Sequence, residues 1–161
     1  YFNYDFPPEF WLVEVSGIPY GLMGEMLEGG GNPWRGMLYG MTGRSPRVDN
    51  GPLWKLWDSF GMQNSEMIGY WVKVNPVKTG SEKTLATVYS HMGDKALISL
   101  AAWEDTDAKV KLSIDWAKLG LDPSKVTLHA PAIENFQQET TWKPGDEIVV
   151  PKGKGLLIIA K

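Results

Sequence analysis

Three groups of side chains in this 161-residue sequence have types and spacing that could do chemistry. The first is Glu25 and Glu28. Two carboxylates about 5–9.5 Å apart can cleave a glycosidic bond, one as acid and the other as nucleophile or base. On a helix the i, i+3 spacing brings two side chains together, but closer than that task wants. The competing reading makes them loop carboxylates solvating the glycine-rich turn that follows. The second group is Asn32, Trp34 and Arg35. Asn and Arg give directional hydrogen bonds to hydroxyls, and Trp offers a flat apolar face, a combination that suits a sugar ring. Alternatively, Trp34 packs into the core and Arg35 pairs with Glu25 or Glu28. The third is Trp142, which lies in a polar stretch beside Thr140, Thr141 and Lys143. It is the best candidate for an exposed aromatic contact, against a reading as a local lid. Trp57 and Trp103 are expected in the core.

Other chemistries lack their residues. Gly29-Gly30-Gly31 is followed by Asn32-Pro33-Trp34 and not by the Lys-Ser or Lys-Thr of a phosphate loop. No nucleophile elbow is present. Cysteine is absent, which removes disulfides, thiol catalysis and thiolate metal sites. His91 and His129 have no evident triad or zinc partners. Glu104, Asp105 and Asp107 could offer oxygen ligands to Ca²⁺, but without EF-hand spacing they read as a solvated hairpin tip. No metal and no cofactor is expected. A formal charge of −3 gives no electrostatic case for nucleic acid or an anionic membrane. No apolar run approaches the ~18 residues of a membrane span. The chain begins at Tyr1 without an initiator Met, so a processed or cut product is expected.

The elements that must position these groups divide the chain. Residues 1–50 read irregularly, broken by Pro7-Pro8 and by the glycine loop, with a weak helix over 34–41. Residues 52–60 form the clearest helix: Leu53, Leu56, Trp57 and Phe60 make one apolar stripe. Pro52 suits its first turn, Asn50 or Gly51 its cap, and Gly61 its stop. From about residue 66 the period becomes two. Residues 84–90 and 95–103 predict paired strands joined by His91-Met92-Gly93-Asp94. Val110, Leu112 and Ile114 predict a half-buried strand, and Val126 with Leu128 another. Asp115 caps a short helix over Trp116–Leu119 that Gly120 ends. Pro144-Gly145-Asp146 turns the chain into Glu147–Val150, and Leu156–Ala160 is apolar throughout. Six to eight short strands between turn signals predict a mainly β chain, an antiparallel β-sandwich.

Several stretches carry a resemblance: "LWKLWDSFGM" at 53–62, "EMIGYW" at 66–71, "TLATVY" at 84–89, "KALISLAAWEDTDAKVKLSIDWAKLGLD" at 95–122 and "GKGLLIIAK" at 153–161. They resemble the C-terminal region of bacterial glycoside-hydrolase-like proteins of the kind abundant in gut Bacteroides. In those, a β-sandwich follows a (β/α)8 barrel, as in the α-amylase type. "YGLMGEMLEGGGNPWRGMLYGMTGR" at 20–44 is similar to the end of such a barrel. The resemblance implies a barrel remnant over 1–62 and a C-terminal sandwich over 66–161. It places most of the catalytic machinery upstream, at strand ends this chain does not contain.

The implied function is a non-catalytic accessory domain of a carbohydrate-active enzyme, packing against its catalytic barrel and inactive alone. Two alternatives stand beside it: a carbohydrate-binding module, and a fragment lending Glu25 to a glycosidase site. The expected partners are the upstream barrel, an oligo- or polysaccharide, and a second copy of the chain through an exposed apolar patch. The expected location is secreted, periplasmic or cell-surface.

Overall fold

The computed structural model describes residues 7–9, 32–42 and 49–161. Helix α1 spans Pro33–Met37. Pro33 opens it, and the Asn32 side chain caps it by accepting from the Arg35 N–H at 3.0 Å. The sequence pattern reaches to residue 41, but the helix stops at Met37. Gly40 takes φ +73°, and the Tyr39 and Met41 amides both turn back to the Gly36 carbonyl. Helix α2 spans Gly51–Phe60 and buries Leu53, Leu56 and Phe60 of the expected stripe, with Trp57 half-buried against them. Asn50 takes the cap position as expected, its carbonyl accepting from the Trp54 N–H at 2.9 Å. The Asp49 carboxylate accepts from the Gly51 N–H at 2.8 Å, while the Asn50 side chain makes no cap bond. Gly61 ends the helix in the left-handed region at φ +79°.

The strands are β1 (Glu66–Ile68), β2 (Val77–Lys78), β3 (Thr84–His91), β4 (Lys95–Ala102), β5 (Ala108–Lys111), β6 (Ser113–Ile114), β7 (Leu128–Ala130), β8 (Thr140–Trp142), β9 (Glu147–Val150) and β10 (Gly155–Ala160). A short helix, α3 (Trp116–Leu119), follows β6 and has the expected Asp115 cap and Gly120 stop. Six strands pair antiparallel in the order β1-β3-β4-β10-β7-β8. Among the described residues two two-stranded antiparallel ribbons, β2-β6 and β5-β9, complete the β structure. The predicted continuous strand through Val110, Leu112 and Ile114 is therefore split. At Leu112 the chain leaves the β5-β9 ribbon and joins the β2-β6 ribbon, with Leu112 itself buried between them. Val126 likewise lies before β7 and not within it.

Strand pleating sorts the long strands into two faces. On one, Ala86, Val88, Ala96, Ile98, Leu100, Leu156, Ile158 and Ala160 join Val110, Ile148 and Val150 from the β5-β9 ribbon in one core. On the other, Tyr89, Leu97 and Leu157 meet Met37, Leu53, Leu56 and Phe60 from the two N-terminal helices. The layers are thus helices, a broad sheet, then two small ribbons. Gly155 is required at the sheet centre, because a Cβ there would be driven into the Leu100 carbonyl of β4.

Candidate functional site

Helix α1 lies against β4 and β10, and its polar side chains are engaged by the protein. Asn32 Nδ2 donates to the Gly153 carbonyl at 2.8 Å while its Oδ1 holds the helix cap. Trp34 Nε1 donates to the Phe136 carbonyl at 3.2 Å, and the two rings lie 5.0 Å apart. Lys154 Nζ sits 5.3 Å from the Trp34 ring centre. Arg35 is 6% exposed; its Nη2 donates to the Ala102 carbonyl at 3.3 Å, and its guanidinium covers the Trp103 ring at 4.5 Å. Asn32, Trp34 and Arg35 each donate to a different backbone carbonyl, those of Gly153, Phe136 and Ala102. Here the group forms a seam between α1 and the sheet. Glu25 and Glu28 lie outside the described residues.

The seam continues along the chain. Thr87 Oγ1 on β3 donates to the Leu38 carbonyl at 2.9 Å, and the Tyr89 hydroxyl donates to the Met37 carbonyl at 2.6 Å. Burial pushes the Tyr89 phenol above its ordinary pKa, which suits a permanent donor. Farther on, the Tyr39 and Tyr70 hydroxyls lie 3.1 Å apart, each 3.2 Å from the Pro8 carbonyl. Burial raises both of their pKa values as well. Trp71 stacks on Tyr39 at 5.9 Å and is 42% exposed. Met67 Sδ borders Gly40, and Trp54, 51% exposed, donates from Nε1 to Thr42 Oγ1 at 3.3 Å. Exposed apolar surface is thus strung along residues 39–42.

Trp142 sits on β8, half-buried and packed against the sandwich core. It lines an open groove of about 510 Å³ where β8 parts from the β5-β9 ribbon. The far wall is the 133–138 loop, with Phe136 and Gln138; Lys154 and Gly155 close the end near α1. Gln137 fixes that loop, because its side-chain amide donates to the Pro131 and Leu157 carbonyls and accepts from the Leu157 N–H at 2.7 Å. Of these residues only Trp142 was visible as a candidate. The loop has no periodicity, and Gln137 differs from Gln138 only in where each points, so nothing in the sequence marked them.

The remaining candidates have structural partners. Glu104 accepts from Ser81 Oγ and Thr84 Oγ1, each at 2.8 Å, and Asp107 accepts from the Lys152 N–H at 2.8 Å. Among the described residues no group of three or more His, Cys, Asp or Glu side chains could hold a metal. His91 meets the Gly61 carbonyl at 3.1 Å and stands edge-on to Phe60, whereas His129 pairs with the Glu139 carboxylate at 3.0 Å.

Comparison with protein families gives two adjoining matches. Residues 49–161 match the model described as glycoside hydrolase 123, C-terminal domain. Residues 1–46 match that described as glycoside hydrolase 123, TIM-barrel domain. No curated protein and no solved structure matches the chain.

Proposed function

The chain belongs to glycoside hydrolase family 123, being a fragment of a carbohydrate-active enzyme with a β-rich C-terminal domain, and from that premise we propose that it serves as a non-catalytic buttress for the catalytic barrel. One observation carries the reading. Asn32, Trp34, Arg35, Met37 and Leu38 fall in the stretch matching the barrel domain, and all bond or pack onto residues in the stretch matching the C-terminal domain. A domain that merely followed the barrel on a linker would have no reason to supply buried donors such as Tyr89 and Thr87 to barrel backbone carbonyls. Left without those partners, the carbonyls would be buried and unsatisfied, at about 1–3 kcal/mol each.

In this role the sheet face carrying Tyr89, Leu97 and Leu157 sets where the barrel end sits. The apolar surface at Trp54, Met67 and Trp71 is assigned to the upstream barrel. Residues 1–46 then act as the barrel's last element and 49–161, helix α2 included, as its support. Secretion or display at the cell surface fits a polysaccharide-degrading parent and is part of the proposal.

Incubating the 161-residue chain with a panel of aryl-glycosides tests the non-catalytic role. The expected result is no release of the aryl group above buffer. Turnover that disappears in Glu25→Gln would instead make the chain a contributor of catalytic groups.

A further inference from the structure

The groove beside Trp142 meets the seam at Phe136 and Lys154, and we infer that it is a binding site for a short stretch of neutral carbohydrate, held without being cleaved. Its size comes first. About 510 Å³ falls in the range of small-ligand sites, and it is room for two or three sugar rings. Its chemistry comes second. Trp142 and Phe136 give the groove apolar surface of the kind a pyranose ring covers. Asn135, Gln138 and Thr140 border them, and their side chains make no hydrogen bonds among the described residues. Two amides and a hydroxyl both donate and accept, which matches a ligand made of hydroxyls.

Charge narrows the ligand further. Among the described residues Lys154 is the one charged residue lining the groove, and its ammonium lies over the Trp34 ring. Among the described residues no carboxylate lines it, so they supply neither the acid nor the base of glycoside hydrolysis. A single cation is also too little to select a polyanion.

Rigidity is the third observation. The 133–138 loop is pinned by Gln137 to Leu157 on β10 and by Trp34 to the Phe136 carbonyl. A wall ordered before binding spares the ligand the entropy of ordering it. Asn135 is held at φ +58°, a conformation Asn adopts more readily than most residues. A peptide laid along the β8 edge is the competing occupant. It would need backbone pairing partners, and β8 offers only Thr140–Trp142. The site adjoins the buttress through Phe136 and Lys154, but its Gln138 and Thr140 side chains make none of the seam's bonds, so the chain could brace the barrel with or without glycan binding.

Native affinity electrophoresis of the chain tests this, in gels holding galactomannan or mixed-linkage β-glucan as neutral probes and polygalacturonate or chondroitin sulfate as anionic ones. Slowed migration is expected in at least one neutral gel. Trp142→Ala could unfold the chain, because its ring packs on the core. The deciding variants are therefore Gln138→Ala and Thr140→Ala, both at exposed positions. Together they should weaken binding at least about tenfold, the loss of two hydrogen bonds, with an unchanged circular dichroism spectrum. Migration unaffected by every neutral polysaccharide overturns the site. So does retardation confined to the anionic gels, or retardation that the double variant leaves untouched.

Discussion

The two faces of the six-stranded sheet are built from alternate residues of the same strands, yet they are different surfaces. The ribbon-facing side is aliphatic along β4, with Ala96, Ile98, Leu100 and Ala102, and strands of the sandwich itself cover it. The helix-facing side places Leu97 beside Ser99, and across the sheet adds Thr87 and Tyr89. Its cover is α1, from the stretch that matches the barrel domain, together with α2, from the stretch that matches the C-terminal domain. An aliphatic face needs only volume and can be filled by whatever apolar strand lies nearby. A face that donates Thr87 and Tyr89 hydroxyls to the Leu38 and Met37 carbonyls accepts one backbone in one register. The first face needs only apolar filling, whereas the second also fixes the register of the backbone that carries Met37 and Leu38.

The largest test of that distinction removes it. Gly155→Ala pushes a methyl into the Leu100 carbonyl, where β10 pairs with β4, and both faces depend on that pair. A loss above about 4 kcal/mol is expected, the class of substitution that unfolds a domain. It would be read as absence of a cooperative melt. A variant that melts normally would mean the sheet centre can shift, and the faces with it.

Neighbouring residues separate the faces. Leu97 and Ile98 are both fully buried on β4 and point to opposite sides. Leu97→Ala and Ile98→Ala should each cost about 2–5 kcal/mol. Hydrogen exchange should tell them apart. Leu97→Ala should speed exchange chiefly in α1 and α2, and Ile98→Ala chiefly in β5 and β9. Equal acceleration everywhere would make the two faces one core.

A smaller effect is expected from Tyr89→Phe, which leaves the Met37 carbonyl without its donor and should cost about 1–3 kcal/mol. It also has a pH signature. Burial holds the phenol protonated above its ordinary pKa of 10.0. Beyond that pH the unfolded chain releases a proton the folded one keeps. The stability Tyr89 contributes is therefore whole below pH 10 and declines as pH rises further. Tyr39 and Tyr70, also raised by burial, act in the same sense. Denaturant melts in alkaline buffers should show a shallower decline for Tyr89→Phe than for the native chain. Identical slopes would show that the phenol is not held by the seam.

Legibility followed the same division. Helix α2 was readable because Leu53, Leu56 and Phe60 repeat at helical spacing and Gly61 stops the run. The β3-β4 hairpin was readable because both strands are long and a turn of the right length lies between them. The split at Leu112 was not, because alternation continues unbroken through residues 108–114 while the pairing partner changes from β9 to β2. Period reports which face a side chain takes and is silent about which strand lies beside it. For the candidate site, the grouping of Asn32, Trp34 and Arg35 could be read because they are close in sequence. Their partners Gly153, Phe136 and Ala102 could not, being more than sixty positions away.

By itself, then, the sequence determined local matters: the strand-rich back half, the helix stripe, the caps at Asp115 and Gly120, and the absence of thiol chemistry. Each depends on neighbours within a turn or a pleat. Only the tertiary structure decided that Arg35 lies over Trp103, that Tyr89 and Thr87 donate across a layer, and that Trp142 opens onto a groove and not onto bulk solvent. A side chain's hydrogen-bonding capacity is written in its type, whereas the group that uses it is set by chain-distant packing, and packing is what folding adds.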